Sequence, residues 1–141
     1  MTAHKPPYDP TSDGWKTVGR MGFVEHVGPL WTRRNGDDWQ YGILIAPQHL
    51  NPMGVVHGGL LMTLIDNAIS TVAWEAVGRL PCLTAQMDHH FMGSVKLGQF
   101  VIGRARVAKK TSSLIFMQGF LSVEGDDVLM CNSMMKITRP R

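Results

Sequence analysis

The sequence is short of several things, and each shortage excludes something. It has two cysteines, Cys82 and Cys131, in neither a CxxC nor any other metal-ligand spacing. A disulfide framework and a cysteine-held metal are therefore not expected, and both side chains read as free, buried thiols. No apolar stretch approaches the ~20 residues that a bilayer span requires, so no membrane partner is expected. No Lys/Arg run exceeds two residues (Arg33-Arg34, Lys109-Lys110). No basic stripe is interleaved with aromatics either, so nucleic acid is not an expected partner. Met1 to Asp13 holds three prolines and no apolar h-region, which argues against a secretory leader and for a partly ordered lead-in. The expected compartment is the cytoplasm. Internal repeats and low-complexity linkers are missing too.

What is present is an ordinary globular composition: 141 residues, 44% hydrophobic and 18% charged. That suits one domain with one core, expected over residues 23–141 after a lead-in over 1–22. The formal net charge of +3 suits an anionic ligand.

Phe23 to Trp31 is a mixed apolar run broken by Gly28-Pro29. Asn35-Gly36-Asp37-Asp38 is a turn signal, and Trp39, Tyr41, Ile43 and Ile45 then alternate as a strand with one buried face does. A hairpin is expected here. Pro47, Pro52 and Gly54 exclude regular structure from Pro47 to Gly54. From Gly58 the pattern becomes helical. Leu60, Leu61, Leu64, Ile65, Ala68, Ile69, Val72, Ala73 and Ala76 form one stripe. Gly78 fits the C′ position and Pro81 a stop. A helix from Gly58 to Val77 would be ~30 Å long and must be the central apolar element. Four strand-like segments follow: Cys82–Phe91, Phe100–Ala108, Ser113–Glu124 and Val128–Thr138, with a tight turn at Gly125-Asp126-Asp127 before the last. The economical fold is α+β: one antiparallel sheet curled around one long helix. Its edges and outer face need cover, so a dimer or a dimer of dimers is expected.

Chemistry concentrates between Asn51 and Asp66. Gly58 and Gly59 stand where the loop becomes the helix. The first helical amides lack intrahelical partners, the helix dipole adds partial positive charge, and glycine lets a ligand oxygen approach the backbone. Such a place suits an anion or a carbonyl oxygen gaining charge; equally, two glycines permit a tight turn. Asp66 lies about two turns into the helix, off the centre of the stripe. It is a general base if shielded and a solvated flank residue if not. Ser70, four residues on, shares its face, as an ordinary small helix residue would. His57 is placed to polarise a carbonyl or to hold the loop. Asn51 is placed to donate to a substrate oxygen or to serve the turn. Asp88-His89-His90 invites a metal reading, but adjacent strand residues point to opposite faces, so no metal site is expected.

In combination the order Asn51, Gly54, His57-Gly58-Gly59, Asp66 resembles the signature of hotdog-fold thioesterases of the phenylacetate-degradation type, in the hydroxybenzoyl-CoA thioesterase superfamily. The resemblance runs from about Phe23 to Thr138. It includes the long helix after His-Gly-Gly and Gly98-Gln99, which is similar to the usual Gly-Asp/Glu before the next strand. It implies hydrolysis of an acyl-CoA, with coenzyme A as part of the substrate and no further cofactor. The Gly58 amide would hydrogen-bond the thioester carbonyl, Asn51 and His57 would orient substrate and water, and Asp66 would be general base or nucleophile. Thr84, on the strand after the helix, would help place the water. Asp66 would serve a thioester held by the partner chain's Gly58 loop. The ~12 Å along the helix axis between Gly58 and Asp66 independently separates the two on one chain. Gly59 and Ser70 would line the substrate site. Arg104, Arg106, Lys109 and Lys110, with Thr111, Ser112 and Ser113, form a basic cluster between two strands. It would meet the nucleotide phosphates or remain a solvated turn.

Ten methionines offer an adaptable apolar pocket or plain core. Two rivals stand beside this reading. One is a hotdog hydratase, whose His-Phe-Pro motif is absent. The other is a non-catalytic acyl-CoA-binding module.

Overall fold

A computed structural model describes residues 6–19 and 22–141. Of the lead-in expected over residues 1–22, residues 1–5, 20 and 21 lie outside the described ones. The elements are β1 (Lys16–Thr17), α1 (Phe23–Val27), β2 (Trp31–Asn35), β3 (Asp38–Leu44), α2 (Gly58–Ala76), β4 (Cys82–Phe91), β5 (Phe100–Lys110), β6 (Leu114–Val123) and β7 (Asp126–Ile137). The strands make one antiparallel sheet in the order β1-β2-β3-β5-β6-β7-β4. α2 packs inside its curve against β3, β4, β5, β6 and β7. This is the hotdog arrangement: a single sheet wrapped around a single long helix.

The apolar stripe explains why α2 sits there. Leu60, Leu61, Leu64, Ile65, Ala68, Ile69 and Ala73 are all buried. They meet Val101, Ile115, Met117, Leu121, Leu129 and Met135 from the sheet. Each fully buried leucine or isoleucine contributes about 1.5–3 kcal/mol. The helix approaches closely because β6 offers no side chain at Gly119, where an added Cβ would lie 2.6 Å from Ile65 Cδ1. α2 ends as its residues dictate: Val77 is the C-cap and Gly78 follows at φ +70°.

Four expectations need correction. Pro47 to Gly54 is not wholly irregular, because Pro47–His49 forms one 3-10 turn, in which proline at the first position gives up no intrahelical bond. The apolar run from Phe23 does not enter the hairpin as a strand. It makes the short helix α1, and Gly28-Pro29 separates it from β2, so the hairpin is β2–β3 across the turn at Gly36. The final turn falls one residue earlier than expected. Glu124 and Gly125 take φ +51° and +87°, a two-residue turn that releases Asp126 and Asp127 into β7. β5 continues to Lys110, past a register shift between Val107 and Lys109. Two elements escaped the sequence reading. One is a 3-10 turn over Pro10–Asp13; the other is β1, which pairs with β2 at Lys16↔Thr32 and Thr17↔Trp31. It is followed back to a buried Trp15, whose ring lies 4.9 Å from Phe100 and 4.5 Å from the Arg33 guanidinium.

β4 ends the sheet. One side pairs with β7, while the other is an edge left unpaired among the described residues. Leu83, Phe91 and Met92 on or beside it are exposed. Among the described residues, no helix is long and apolar enough to cross a membrane.

Candidate active site

The loop leading into α2 is tied down by its own polar groups. Asn51 Oδ1 accepts from the amides of Met53 (2.9 Å) and Val55 (3.3 Å). The Asn51 amide donates to Val55 O and that of Gly54 to Asn51 O, with Gly54 at φ +82°. The loop is anchored outward through Val56 N to Val95 O (2.8 Å) and His57 N to His49 O (2.9 Å). His49, which sequence reading passed over, is the buried post beneath. Its Nδ1 accepts from Ala46 N at 2.9 Å, so Nε2 carries the proton and donates to Val27 O at 2.7 Å.

His57 is the N-cap of α2, where its Nδ1 accepts from Gly59 N at 2.8 Å. Its role at the loop is thus structural through Nδ1, while Nε2–H stays available on an exposed side chain. With the Gly59 amide engaged and Leu60 N donating to His57 O, the Gly58 amide is left without an acceptor among the described residues. It is the donor that the helix start offers to a ligand.

Further along α2, Asp66 meets β4. The Thr84 hydroxyl donates to Asp66 Oδ1 at 2.8 Å. Strict alternation would not bring Thr84 there. Met87 and His89 face the helix, and a residue of opposite parity should face away. The register against β7 slips between Thr84 and Gln86, and this bulge turns Thr84 inward. The buried Ser133 hydroxyl satisfies the Gln86 carbonyl at the bulge, at 3.0 Å.

An open groove of about 530 Å³ lies over this pair, with Gly59, Met62 and Ser70 on the helix side, Met87 and His89 on the strand side, and Phe23 and Val24 of α1 at the rim. Of the residues expected at the substrate site, Gly59 and Ser70 line this groove, while Asn51, His57 and Gly58 are not among its lining residues. β4 spans both places on the chain. Phe91 packs under Gly58, whose added Cβ would lie 3.3 Å from its ring, and Thr84 holds Asp66.

His89 was considered in the sequence only beside His90. The two part as strand neighbours must: His89 lines the groove and His90 is exposed. Both His89 ring nitrogens are buried without a partner among the described residues. Burial holds its pKa below the usual imidazole value, against the opposing charges of Asp66 and Asp88. The parity of Met87 and His89, set beside an acid on the facing helix, was the available signal. Opposite His89 on β7 stands Cys131. It is 2% exposed, and burial, reinforced by Asp66 and Asp88, pushes its thiol up to about 11. Cys131 is the free, buried thiol expected; Cys82 is free but only half-buried.

The basic cluster divides. Arg104 lies well back along β5, paired with Asp127 at 3.1 Å and stacked 5.1 Å over Phe120. Lys109, Lys110, Thr111 and Ser112 do gather where β5 turns into β6. There Lys110 Nζ donates to Ala76 O at the end of α2 (3.2 Å). Thr111 Oγ1 closes the turn, accepting from Leu114 N at 3.0 Å. A six-residue separation along a strand, about 20 Å, removes Arg104 from that turn.

A family model described as the thioesterase superfamily matches residues 53–130, more than half of the 141 residues. Human acyl-coenzyme A thioesterase 13 is 37% identical over 73 residues, 51% of this chain and 51% of that protein. The chain thus aligns over about half the length of the curated relatives it matches. Among solved structures, a mutant of the phenylacetic acid degradation protein PaaI from Thermus thermophilus superposes with a TM-score of 0.72 at 20% identity. It covers 82% of this chain and 98% of that one. A hypothetical thioesterase from Streptococcus pneumoniae, solved with coenzyme A, gives 0.67 at 20% identity, covering 79% and 90%.

Proposed function

The chain belongs to the thioesterase superfamily, and from that premise we propose that it hydrolyses an acyl-CoA thioester to the free acid and CoA. The observation that carries this reading is the Thr84–Asp66 hydrogen bond at 2.8 Å, held over an open groove on the helix whose first amide has no acceptor among the described residues.

The Gly58 N–H, strengthened by the helix dipole, receives the thioester carbonyl and is worth more as that oxygen gains charge. Thr84 occupies Asp66 Oδ1 and thereby aims Oδ2 at water. Asp66 takes a proton from the water as its oxygen attacks the carbonyl carbon. The carbon–sulfur bond then breaks with its electron pair leaving on sulfur, and the Asp66 proton returns to the CoA thiolate. In the direct route, Asp66 itself attacks and water cleaves the resulting anhydride. Single turnover in ¹⁸O-water separates the two, since only the anhydride route can leave label in the Asp66 carboxylate. Asn51 shapes the donor loop, and His57 holds its Nε2–H toward the substrate's approach.

Gly58 and Asp66 are about 12 Å apart along one helix, too far to share one carbon. The unpaired β4 edge supplies the remedy: a second copy adding its own β4 would continue the sheet and bring one chain's Asp66 to the other's Gly58. The substrate's nucleotide end meets Lys109, Lys110, Thr111 and Ser112; Arg104, tied to Asp127, is the weakest member of that set. Coenzyme A, found with the Streptococcus pneumoniae thioesterase, supports this substrate class.

The test is thiol release from a panel of acyl-CoAs. The wild type should release CoA, and Asp66→Asn should lose about 10²-fold or more in turnover, as removal of a general base does. A wild type that releases no more than Asp66→Asn across the panel sinks the reading.

A further inference from the structure

Beyond Asp66 the groove does not stop. A second depression of about 480 Å³ continues along the same face of α2, sharing Asn67 and Ser70 with the first and ending at Trp74, Pro81 and Cys82. Its walls present mostly carbon. The Thr71 hydroxyl turns back to Asn67 O at 2.9 Å, which leaves its methyl group outward. Cys82 remains a neutral thiol, because burial raises its pKa. Trp74 stands across the far end, 37% exposed, with the Arg79 guanidinium 5.2 Å from its ring. A large side chain backed by a stacked cation makes a firm stop.

We propose that this extension holds the acyl chain and that Trp74 sets its length, making medium-chain acyl-CoAs the preferred substrates. The inference rests on the thioesterase reading above. From Asp66 to Trp74 is eight residues, about 12 Å of helix, which accommodates roughly nine extended methylene groups. A thioester carbon held at Asp66 therefore places the end of a chain of about ten carbons against the indole.

The experiment measures kcat/KM for saturated acyl-CoAs from butanoyl to hexadecanoyl. For the wild type, kcat/KM should rise about fourfold for each methylene buried to an optimum near ten carbons, then fall. Trp74→Ala should move the optimum to longer chains and raise the hexadecanoyl-to-decanoyl ratio about tenfold or more. Ser70→Leu, which fills the groove nearer Asp66, should move it to shorter chains. Because each ratio is taken within one protein sample, partial unfolding of a variant does not disturb it. Three results overturn the proposal. An unchanged length profile in both variants would mean that the extension holds no acyl chain. An equal change at every length would give it to the pantetheine arm. A change in sedimentation with an unchanged profile would give it to the second copy of the chain. A wild type inactive on the whole panel would instead defeat the thioesterase reading beneath it.

Discussion

The two places on α2 proposed to carry the chemistry are built in opposite ways. The Asn51–Gly59 loop satisfies nearly every polar group it owns: Asn51 closes it, His49 and Val95 anchor it, and His57 caps the helix. A single backbone donor of the loop, at Gly58, is left without an acceptor among the described residues. Around Asp66 the reverse holds. One hydrogen bond among the described residues, from Thr84, supports a carboxylate facing an open groove. His89 beside it has no partner on either ring nitrogen among the described residues. A loop that must present one donor has to be rigid, because a displaced donor loses transition-state stabilisation. An acid that, as proposed, receives a substrate from a second chain has to be left open.

The largest test of that contrast separates the halves genetically. Asp66→Asn removes the acid. Gly58→Pro removes the donor amide at the one helical position where proline is tolerated, after a His57 already at φ −63°, ψ 132°. Each homogeneous variant should lose about 10²-fold or more. Co-refolded mixtures should regain activity, since one site in each heterodimer then has both groups intact. No recovery in a mixture shown to contain heterodimers would place the whole site on one chain.

Thr84→Ala tests the sparse half alone. Thr84 aims Asp66, and a misplaced catalytic group can cost up to about 10²-fold, so kcat should fall roughly 10–100-fold; the pair is exposed, so the melting temperature should change little. The dense half should answer the other way. Asn51→Ala removes the acceptor of the Met53 and Val55 amides and should lower stability by about 0.5–1.5 kcal/mol in denaturant titrations. The smallest effect concerns pH. The His89 pKa is depressed in the fold, so its contribution to stability is present above the usual 6.5 and is lost as pH falls through the folded value. Stability should therefore decline from pH 7 to pH 5, and His89→Leu should flatten that part of the profile. An unaltered slope in the variant would show that His89 does not hold its neutral form at a cost.

The helix was legible almost to the residue, because its stripe, its entry glycines and Gly78 are all local signals. β4 was legible with its bounds for the same reason. α1 was misread because five apolar and polar residues before Gly28-Pro29 fit either period. β1 was missed because two residues carry no periodicity. The candidate site was legible as a motif, with proposed roles supplied by resemblance. The Thr84–Asp66 contact was not legible locally, since strand alternation by itself would have sent Thr84 to the outer face.

What the sequence determined by itself is therefore what neighbouring residues can encode: an apolar stripe that must be buried, a capped glycine helix start, and turns where Asn35-Gly36 and Gly125 stand. Tertiary structure decided which distant groups meet. The slip between Thr84 and Gln86 re-aims a hydroxyl at an acid 18 residues away, and the sheet order leaves β4 with an open edge. Both depend on strand register, which is set by packing the whole sheet against the helix and not by the residues that it brings together.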